Sequence, residues 1–403
     1  MNSVIRKVEY KLYPSSTQNV SMEDMRIHHH QLYCWALKDR IQTYKEFGYG
    51  LNFSDQCKIN TQFRQRRWAH GLFNANAQSE QVTLKRVHLA FEGFFRRLKE
   101  KGKAGFPRFK KFERFKGWGY KAHGDGWKLS LNPKKHGAVY LADVGIVKIR
   151  GQARNEGGIP KTAEVIKRQD GWYLSVSFEY STIKRESGNR VVALDWGLEY
   201  YATLVDDAGK IEQINNPRYL RNSQEKLAQL QRQFSLCKKR SREWNFLKKC
   251  ISRLHHKIAN QRKNFIHQKT AEIVSKSAIL AFEELNTKNM TRSAKGTVES
   301  PGKQVKQKSG LNKSILDASP AAFYASLRYK AEDAGVLLKV APTRKLKPSQ
   351  TCPKCGAVKK KLLSERTHSC ACGYSAPRDV ASAQVVLDWV LGNIQARNEP
   401  VAA

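Results

Sequence analysis

Four cysteines near the C-terminal end constrain this chain more tightly than any other feature. They form two short pairs, Cys352-Pro-Lys-Cys355-Gly356 and Cys370-Ala-Cys372-Gly373, within 21 residues. Tetrahedral zinc takes four deprotonated soft ligands, and two thiolate pairs on facing turns supply them. The glycine behind each pair lets the backbone turn tightly around the metal. Cys34, Cys57, Cys237 and Cys250 are scattered and offer no disulfide framework. The spacing therefore predicts a structural Zn²⁺ held by Cys352, Cys355, Cys370 and Cys372, with His368 able to replace one thiolate. Such a closed site leaves no open position, so any catalysis belongs elsewhere.

Charge narrows the partners. The 403 residues carry 73 Lys+Arg against 35 Asp+Glu, a net +38. Solubility of a small domain needs only about 2–8 charges, and a larger excess repels itself unless a polyanion shares the surface. Nucleic acid is the partner this implies. A membrane surface fits less well, because no apolar run reaches about 18 residues. Residues 1–14 alternate charge with β-branched side chains instead of presenting a signal-peptide core. The expected location is cytoplasmic and nucleoid-associated. A hydrophobic fraction of 40% supports packed cores, and the length suggests roughly two to four domains.

Periodicity divides the chain. Residues 4–13 alternate apolar and polar and end at Pro14, which reads as a strand. From about 17 to 101 the pattern is helical, with Phe91, Phe94, Phe95 and Leu98 on one face. Short strands follow between 127 and 181, so a β-domain begun by residues 4–13 is completed after a helical insertion. Beyond a polar joint at 183–190, the apolar strand 191–195 ends in Asp195 and opens a β-meander. Residues 222–276 read as one or two long basic helices and 278–282 as a buried strand. Residues 291–313 are Gly/Ser/Lys-rich and read as a mobile stretch. A helix over 321–334, a strand over 336–340 and a last helix over about 379–394 complete the chain.

Three acids stand at the ends of elements in this second half: Asp195, Glu283 and Asp379. Singly, each has a structural explanation as a turn, helix-start or capping residue. Together, carboxylates so placed can hold two divalent ions about 4 Å apart for in-line phosphodiester displacement. A different signal lies in Gly105-Phe-Pro-Arg-Phe-Lys-Lys-Phe-Glu-Arg-Phe-Lys-Gly117, where cations interleave with rings. Arg108, Phe109, Lys110 and Lys111 suit the backbone and bases of single-stranded or folded RNA.

Four segments then converge on one family. Val191-Val-Ala-Leu-Asp-Trp-Gly197, Phe282-Glu-Glu-Leu-Asn286, Ser349-Gln-Thr-Cys-Pro-Lys-Cys-Gly356 and Cys372-Gly-Tyr-Ser-Ala-Pro-Arg-Asp379 occur in order. They resemble the RuvC-like nuclease and zinc-ribbon signature of the TnpB family, transposon-encoded RNA-guided DNA endonucleases related to type V CRISPR effectors. Tyr10-Lys-Leu-Tyr-Pro14, Gly105-Phe-Pro-Arg-Phe-Lys-Lys111, Asn312-Lys-Ser-Ile-Leu316 and Tyr329-Lys-Ala-Glu332 are also similar to the family, so the resemblance spans nearly the whole chain. Three positions depart from it. Ala381 stands where the family usually has Asn, Pro377-Arg378 where it has Asp-Arg, and Trp196 where it has Leu or Val.

The resemblance implies a multidomain α/β protein: an RNase H-like (RuvC) nuclease domain with an inserted zinc ribbon, and a wedge β-barrel with an inserted helical recognition domain. The implied bounds are 1–16 and 119–185 for the wedge and 17–118 for the recognition domain. The nuclease takes 186–345 and 376–396, the ribbon 346–375 and a tail 397–403. Asp195, Glu283 and Asp379 become the catalytic acids, binding two Mg²⁺ (or Mn²⁺), with Arg366 set on a phosphate near the cut. Phe53, Gln78 and Gln81 fall where the family reads a short motif beside the target. The implied partners are a guide RNA from the transposon end and double-stranded target DNA, and the 291–313 stretch becomes a lid. Two other functions fit parts of the pattern: a nuclease-inactive RNA-guided repressor, and an unguided structure-selective nuclease.

Overall fold

The alternation at the start of the chain yields β1 (Val4–Tyr13), whose partners come from far along the sequence. In the computed structural model, which describes residues 3–70, 73, 75–100, 102, 104–132, 136–150, 157–181, 185–362 and 365–393, the chain divides into two units after residue 182. The expected tail 397–403 lies outside the described residues.

In the first unit, β1 precedes three helices, α1 (Ser16–Phe47), α2 (Phe53–Ala69) and α3 (Ala77–Lys99). Six strands follow: β2 (Gly117–Tyr120), β3 (Trp127–Ser130), β4 (Ala138–Leu141), β5 (Gly145–Arg150), β6 (Ile159–Arg168) and β7 (Gly171–Tyr180). The sheet runs β2-β6-β7-β1-β5-β4-β3, and β1 lies antiparallel to β7 from Val4 opposite Tyr180 to Leu12 opposite Trp172. Trp118 on one edge strand and Trp127 on the other enter the same core as Trp172, Leu12 and Val176. Sharing one core forces the sheet to curl into a barrel-like form.

α1 starts with a reciprocal cap. Ser15 Oγ accepts the Gln18 N–H while Gln18 Oε1 accepts the Ser15 N–H. It ends at Gly48, whose left-handed φ of 74° suits a residue without a Cβ. Met22 and Met25 of α1 enter the barrel core, while Leu32, Ala36 and Leu37 join Leu84 and Val87 of α3. Fully buried Glu80 ties the helices together: His28 lies 2.6 Å away, Asn60 donates at 2.7 Å, and Arg64 and Arg67 pair with it. Burial alone would raise its pKa, but bonds from His28, Arg64 and Asn60 outweigh burial and bring it down to about 2.

The second unit is built on a five-stranded sheet. Its strands are β8 (Arg190–Trp196), β9 (Tyr200–Asp206), β10 (Ile211–Asn215), β11 (Ser277–Glu283) and β12 (Leu337–Ala341). Their spatial order is β10-β9-β8-β11-β12, antiparallel from β10 to β8 and parallel from β8 to β12. Between β10 and β11 lie α4 (Tyr219–Asn222), α5 (Gln224–Leu236) and α6 (Arg242–Lys276). After β11 come α7 (Thr287–Met290), α8 (Val305–Ala318) and α9 (Pro320–Ala334). α10 (Thr343–Leu346), β13 (Thr367–Ser369), β14 (Ser375–Pro377) and α11 (Arg378–Val390) follow β12. Among the described residues, no helix is long and apolar enough to cross a membrane.

Strand alternation sorts the two faces. Val192, Leu194, Leu280 and Phe282 join Ile266, Ile315, Phe323 and Leu327 of α6, α8 and α9. Ala193 and Ala281 face the other way, against Ala383, Val386 and Leu387 of α11. The small side chains let α11 lie close.

One expectation is corrected. Residues 291–313 do not form one mobile stretch, because the chain is helical from Val305. Lys308 donates to the Met290 carbonyl and Asn312 to that of Thr291, anchoring the connection. Gly310 and the surrounding lysines hid a helix whose buried apolar residues, Ile315 and Ala318, arrive only in its last turn.

Ala281→Leu should overpack the seam between sheet and α11, costing about 1–3 kcal/mol. A lowered unfolding midpoint checks this; an unchanged one would contradict the tight seam.

Candidate functional site

The alternation that buries Ala193 and Ala281 beneath α11 also sets the direction of the residues two steps further on. Asp195 and Glu283 lie on that same face. Leu194 pairs with Phe282 across β8 and β11, so the two acids are the next residues on adjacent parallel strands. Asp379 sits in the first turn of α11. Three residues on, Ser382 Oγ donates to Asp195 Oδ1 at 3.3 Å, which draws the helix start to the strand end. A Cβ added to Gly197 would lie 2.8 Å from the Tyr200 carbonyl and 3.5 Å from Asp379 Oδ2, so the turn after β8 leaves room only for glycine.

The electrostatics of this cluster are costly. Burial pushes Asp195 well above the ordinary carboxylate range, and the charges of Glu283 and Asp379 push it further. Glu283 is pushed up to about 7 by burial, and its buried Oε1 has no hydrogen-bond partner among the described residues. Burial also raises Asp379, against the pull of Arg366. Three carboxylates with an orphaned oxygen form a donor set of hard oxygens suited to divalent cations such as Mg²⁺. They are grouped more loosely than the cysteines: among the described residues, only the four thiols bring three or more ligand atoms within 4.8 Å of one another.

Further residues at the cluster carry no motif. Arg366 precedes β13 and reaches Glu199 at 3.7 Å, and both bias Asp379. Arg378 acts on Asp195 and Asp379 while donating to the Leu362 carbonyl at 3.0 Å. The buried Tyr324 hydroxyl lacks a partner among the described residues and is raised well above its ordinary value by burial and by Asp195 and Glu283. Thr203 lies opposite Asp195 on β9, its buried hydroxyl also unpartnered among these residues. Sequence reasoning missed Glu199, Ser382, Thr203 and Tyr324. Only the interval Asp379-x-x-Ser382, one turn of helix, offered a signal.

The ribbon follows its spacing closely. Cys352 and Cys372 sulfurs lie 3.6 Å apart, and those of Cys355 and Cys370 3.5 Å apart. Zn–S bonds of about 2.3 Å at tetrahedral angles put sulfurs roughly 3.8 Å apart, so the donor set fits zinc. Gly356 and Gly373 both take left-handed φ, 69° and 82°, and their N–H groups donate to Cys352 and Cys370 carbonyls. His368 stays outside the set. It is buried edge-on against Tyr374, with Nδ1 facing Lys361.

The expected nucleic-acid contacts divide. Phe106 and Phe109 are exposed, as are Arg108 and Lys111. Phe115 is buried, and Arg26 stacks on Phe112 at 3.8 Å, so half of the aromatic series is packing. Lys110 lies over the Tyr33 ring. Gln78 is engaged in holding the fold, donating to Asp125 while accepting from the Ala122 N–H. Phe53 starts α2 beneath Lys85 and against His88, and Gln81 is half-buried on α3.

Residues 174–294, from β7 to α7, match a family described as OrfB_IS605, probable transposase; residues 321–386 match the Cas12f1-like TNB domain. A protein of Escherichia coli K12, named "Putative RNA-guided DNA endonuclease InsQ", is 35% identical over 321 residues, 78% of this chain and 75% of its own length. A Streptomyces pristinaespiralis protein of the same designation is 24% identical over 96% of this chain and 90% of its own. At that identity and coverage, the class is that of the transposon-encoded OrfB proteins. Within it, the chain belongs to the TnpB family.

Solved structures extend the fold likeness. Cas12f1, from a complex with single-guide RNA and target DNA, aligns with TM-score 0.59 at 14% identity, over 96% of this chain and 99% of its own. The mini RNA-guided endonuclease Cas-phi3 aligns at 0.52 and 10%, over 96% and 92%.

Two outcomes follow. Elemental analysis should find one zinc per chain, lost in Cys352→Ser and Cys370→Ser but retained in His368→Ala. In Mg²⁺-free buffer, Glu283 binds a proton more tightly folded than unfolded, so stability falls as pH rises from about 4.5 through about 7. A shift of this size is worth on the order of 3 kcal/mol at most. Glu283→Gln should raise the melting temperature at pH 8 and flatten this slope; no change at pH 8 would contradict the buried charge.

Proposed function

We propose that this protein is an RNA-guided DNA endonuclease, with Asp195, Glu283 and Asp379 as its catalytic acids. The observation that carries the reading is their convergence. Two adjacent parallel strands and one helix start, far apart in sequence, deliver three carboxylates to one end of the sheet, and one oxygen is buried without a donor among the described residues. The sheet order β10-β9-β8-β11-β12 is the topology expected of an RNase H-like (RuvC) domain. Membership of the TnpB family, and relatives named as RNA-guided DNA endonucleases, support the same activity.

In this reading the three acids hold two Mg²⁺ or Mn²⁺. Such ions lower the pKa of bound water and offset charge on the leaving oxygen. Ser382 fixes the Asp195 carboxylate by its hydrogen bond. Arg366, exposed beside Asp379, takes a phosphate oxygen of the strand to be cut. Burial of Glu283 keeps bulk water from the orphaned oxygen.

Guide pairing supplies most of the sequence specificity, and the protein reads backbone shape plus a short motif beside the target. The guide RNA derives from the transposon end and the target is double-stranded DNA. Arg108, Phe109 and Lys111 contact RNA, with Lys110 in support. Phe53 and Gln81 are placed for the motif, with Gln78 shaping their surroundings. The exposed cations of α5 and α6 follow the guide–target duplex.

Asp195→Ala should reduce Mg²⁺-dependent cleavage of a guide-matched plasmid below detection while a discrete RNA still co-purifies. Loss of that RNA would make Asp195 structural. Tight target binding without cleavage by the unaltered chain would identify a repressor, and cleavage without RNA an unguided nuclease.

A further inference from the structure

The loop after β10 and the last turns of α8 enclose a cavity of about 370 Å³. Its chemistry has two sides. Leu198 and Leu220 offer apolar surface, and Arg218, Arg221 and Lys313 offer three exposed cations. No acid pairs with those cations among the described residues. The remaining charged group in the wall, Asp317, is 8% exposed and already satisfied. It accepts the Leu220 N–H at 3.0 Å, the Arg221 N–H at 3.3 Å and the Arg262 guanidinium at 2.8 Å. Its charge is therefore spent on holding the loop to α8, and the cavity presents a net positive face.

The backbone here is shaped at a cost. Arg218 adopts a left-handed φ of 46°, uncommon for a residue with a long side chain, and its N–H is held by Asn216 Oδ1. Asn216 also donates to the Leu198 carbonyl at 2.8 Å, which links the loop to the turn three residues beyond Asp195. β10 runs parallel to β8 through the intervening β9, so the loop that walls the cavity leaves the same end of the sheet as Asp195.

We propose that this cavity seats one nucleotide of the single DNA strand presented to the acids. Arg218, Arg221 and Lys313 hold its flanking phosphates, and the base rests on Leu198 and Leu220. The volume lies in the range of small-molecule sites, about 300–1,000 Å³. Cations over an apolar wall match a nucleotide better than an inorganic anion, which needs no apolar surface. The assignment to the cleaved strand, over the guide, rests on the nuclease reading and on the shared strand end and the Asn216–Leu198 link to the turn after Asp195.

The test uses the full chain with its co-purified RNA in Mg²⁺-free buffer, so that no cleavage is required. A 12-nucleotide single-stranded DNA carrying 5-iodouracil is photocrosslinked and mapped, beside an RNA of the same sequence. Crosslinks from DNA to residues 216–224 and 310–317 are expected. In salt titrations, the triple variant Arg218→Ala/Arg221→Ala/Lys313→Ala should lower the log–log slope of DNA binding by about 2, at roughly 0.7 per phosphate contact. The charge-matched control Lys339→Ala/Lys359→Ala/Lys360→Ala should change it by less than half as much. Crosslinks elsewhere, equal slopes in the two variants, or crosslinking by RNA alone would overturn the proposal. Crosslinks at these peptides in a protein that never cleaves would sink the nuclease reading and leave the cavity as a DNA site.

Discussion

Parallel pairing of β8 with β11 is the contact on which the second unit depends. It sets Leu194 beside Phe282, and from that register the chemistry of both faces follows. One residue further, two carboxylates come side by side; one residue earlier, two alanines make room for α11. A slip of either strand by one position would turn its acid into the apolar face and its large side chains toward the helix. The same register thus serves packing and chemistry, and neither can change without the other.

Glu80, Asp317 and Glu283 are each buried or nearly so, and their surroundings differ in kind. Glu80 is surrounded by donors that bring it down to about 2. Asp317 receives two backbone N–H groups and a guanidinium. Both are tied off, and both hold helices or loops in place. Glu283 has the opposite environment: burial with no donor for Oε1 among the described residues, and a carboxyl pushed up to about 7. An uncompensated buried carboxylate is a cost to folding. In a chain with a net charge of +38, cations to neutralise it are plentiful. Among the described residues none of them reaches Oε1.

Much of this was legible in the chain because short-range geometry controls it. Two cysteine pairs with a glycine behind each can close on a metal in few ways, and the thiols meet as their spacing implies. Short unbroken apolar runs also marked the two β-strands that end in acids. The misses have a common physical origin, since they concern side chains whose roles depend on partners distant in sequence. α8 looked like a mobile stretch because its anchoring residues, Ile315 and Ala318, come after a polar, glycine-containing start. Gln78 looked available for recognition until Asp125 and the Ala122 N–H occupied both ends of its amide. Phe112 and Phe115 looked equivalent to Phe106 and Phe109, yet α1 supplies Arg26 and His30 to cover the first two.

By itself, the sequence determined the ribbon, the β-domain with its helical insertion, the strands carrying Asp195 and Glu283, and a charge excess that favours a polyanionic partner. These depend on periodicity, spacing and net charge, which are properties of neighbours along the chain. Only the tertiary structure decided that Ser382 would hold Asp195, that Arg366 and Glu199 would flank Asp379, and that Asp317 would join the wall of a cationic cavity. Those arrangements join residues roughly 100 positions or more apart, or set the charge a cavity presents, and no local pattern encodes either.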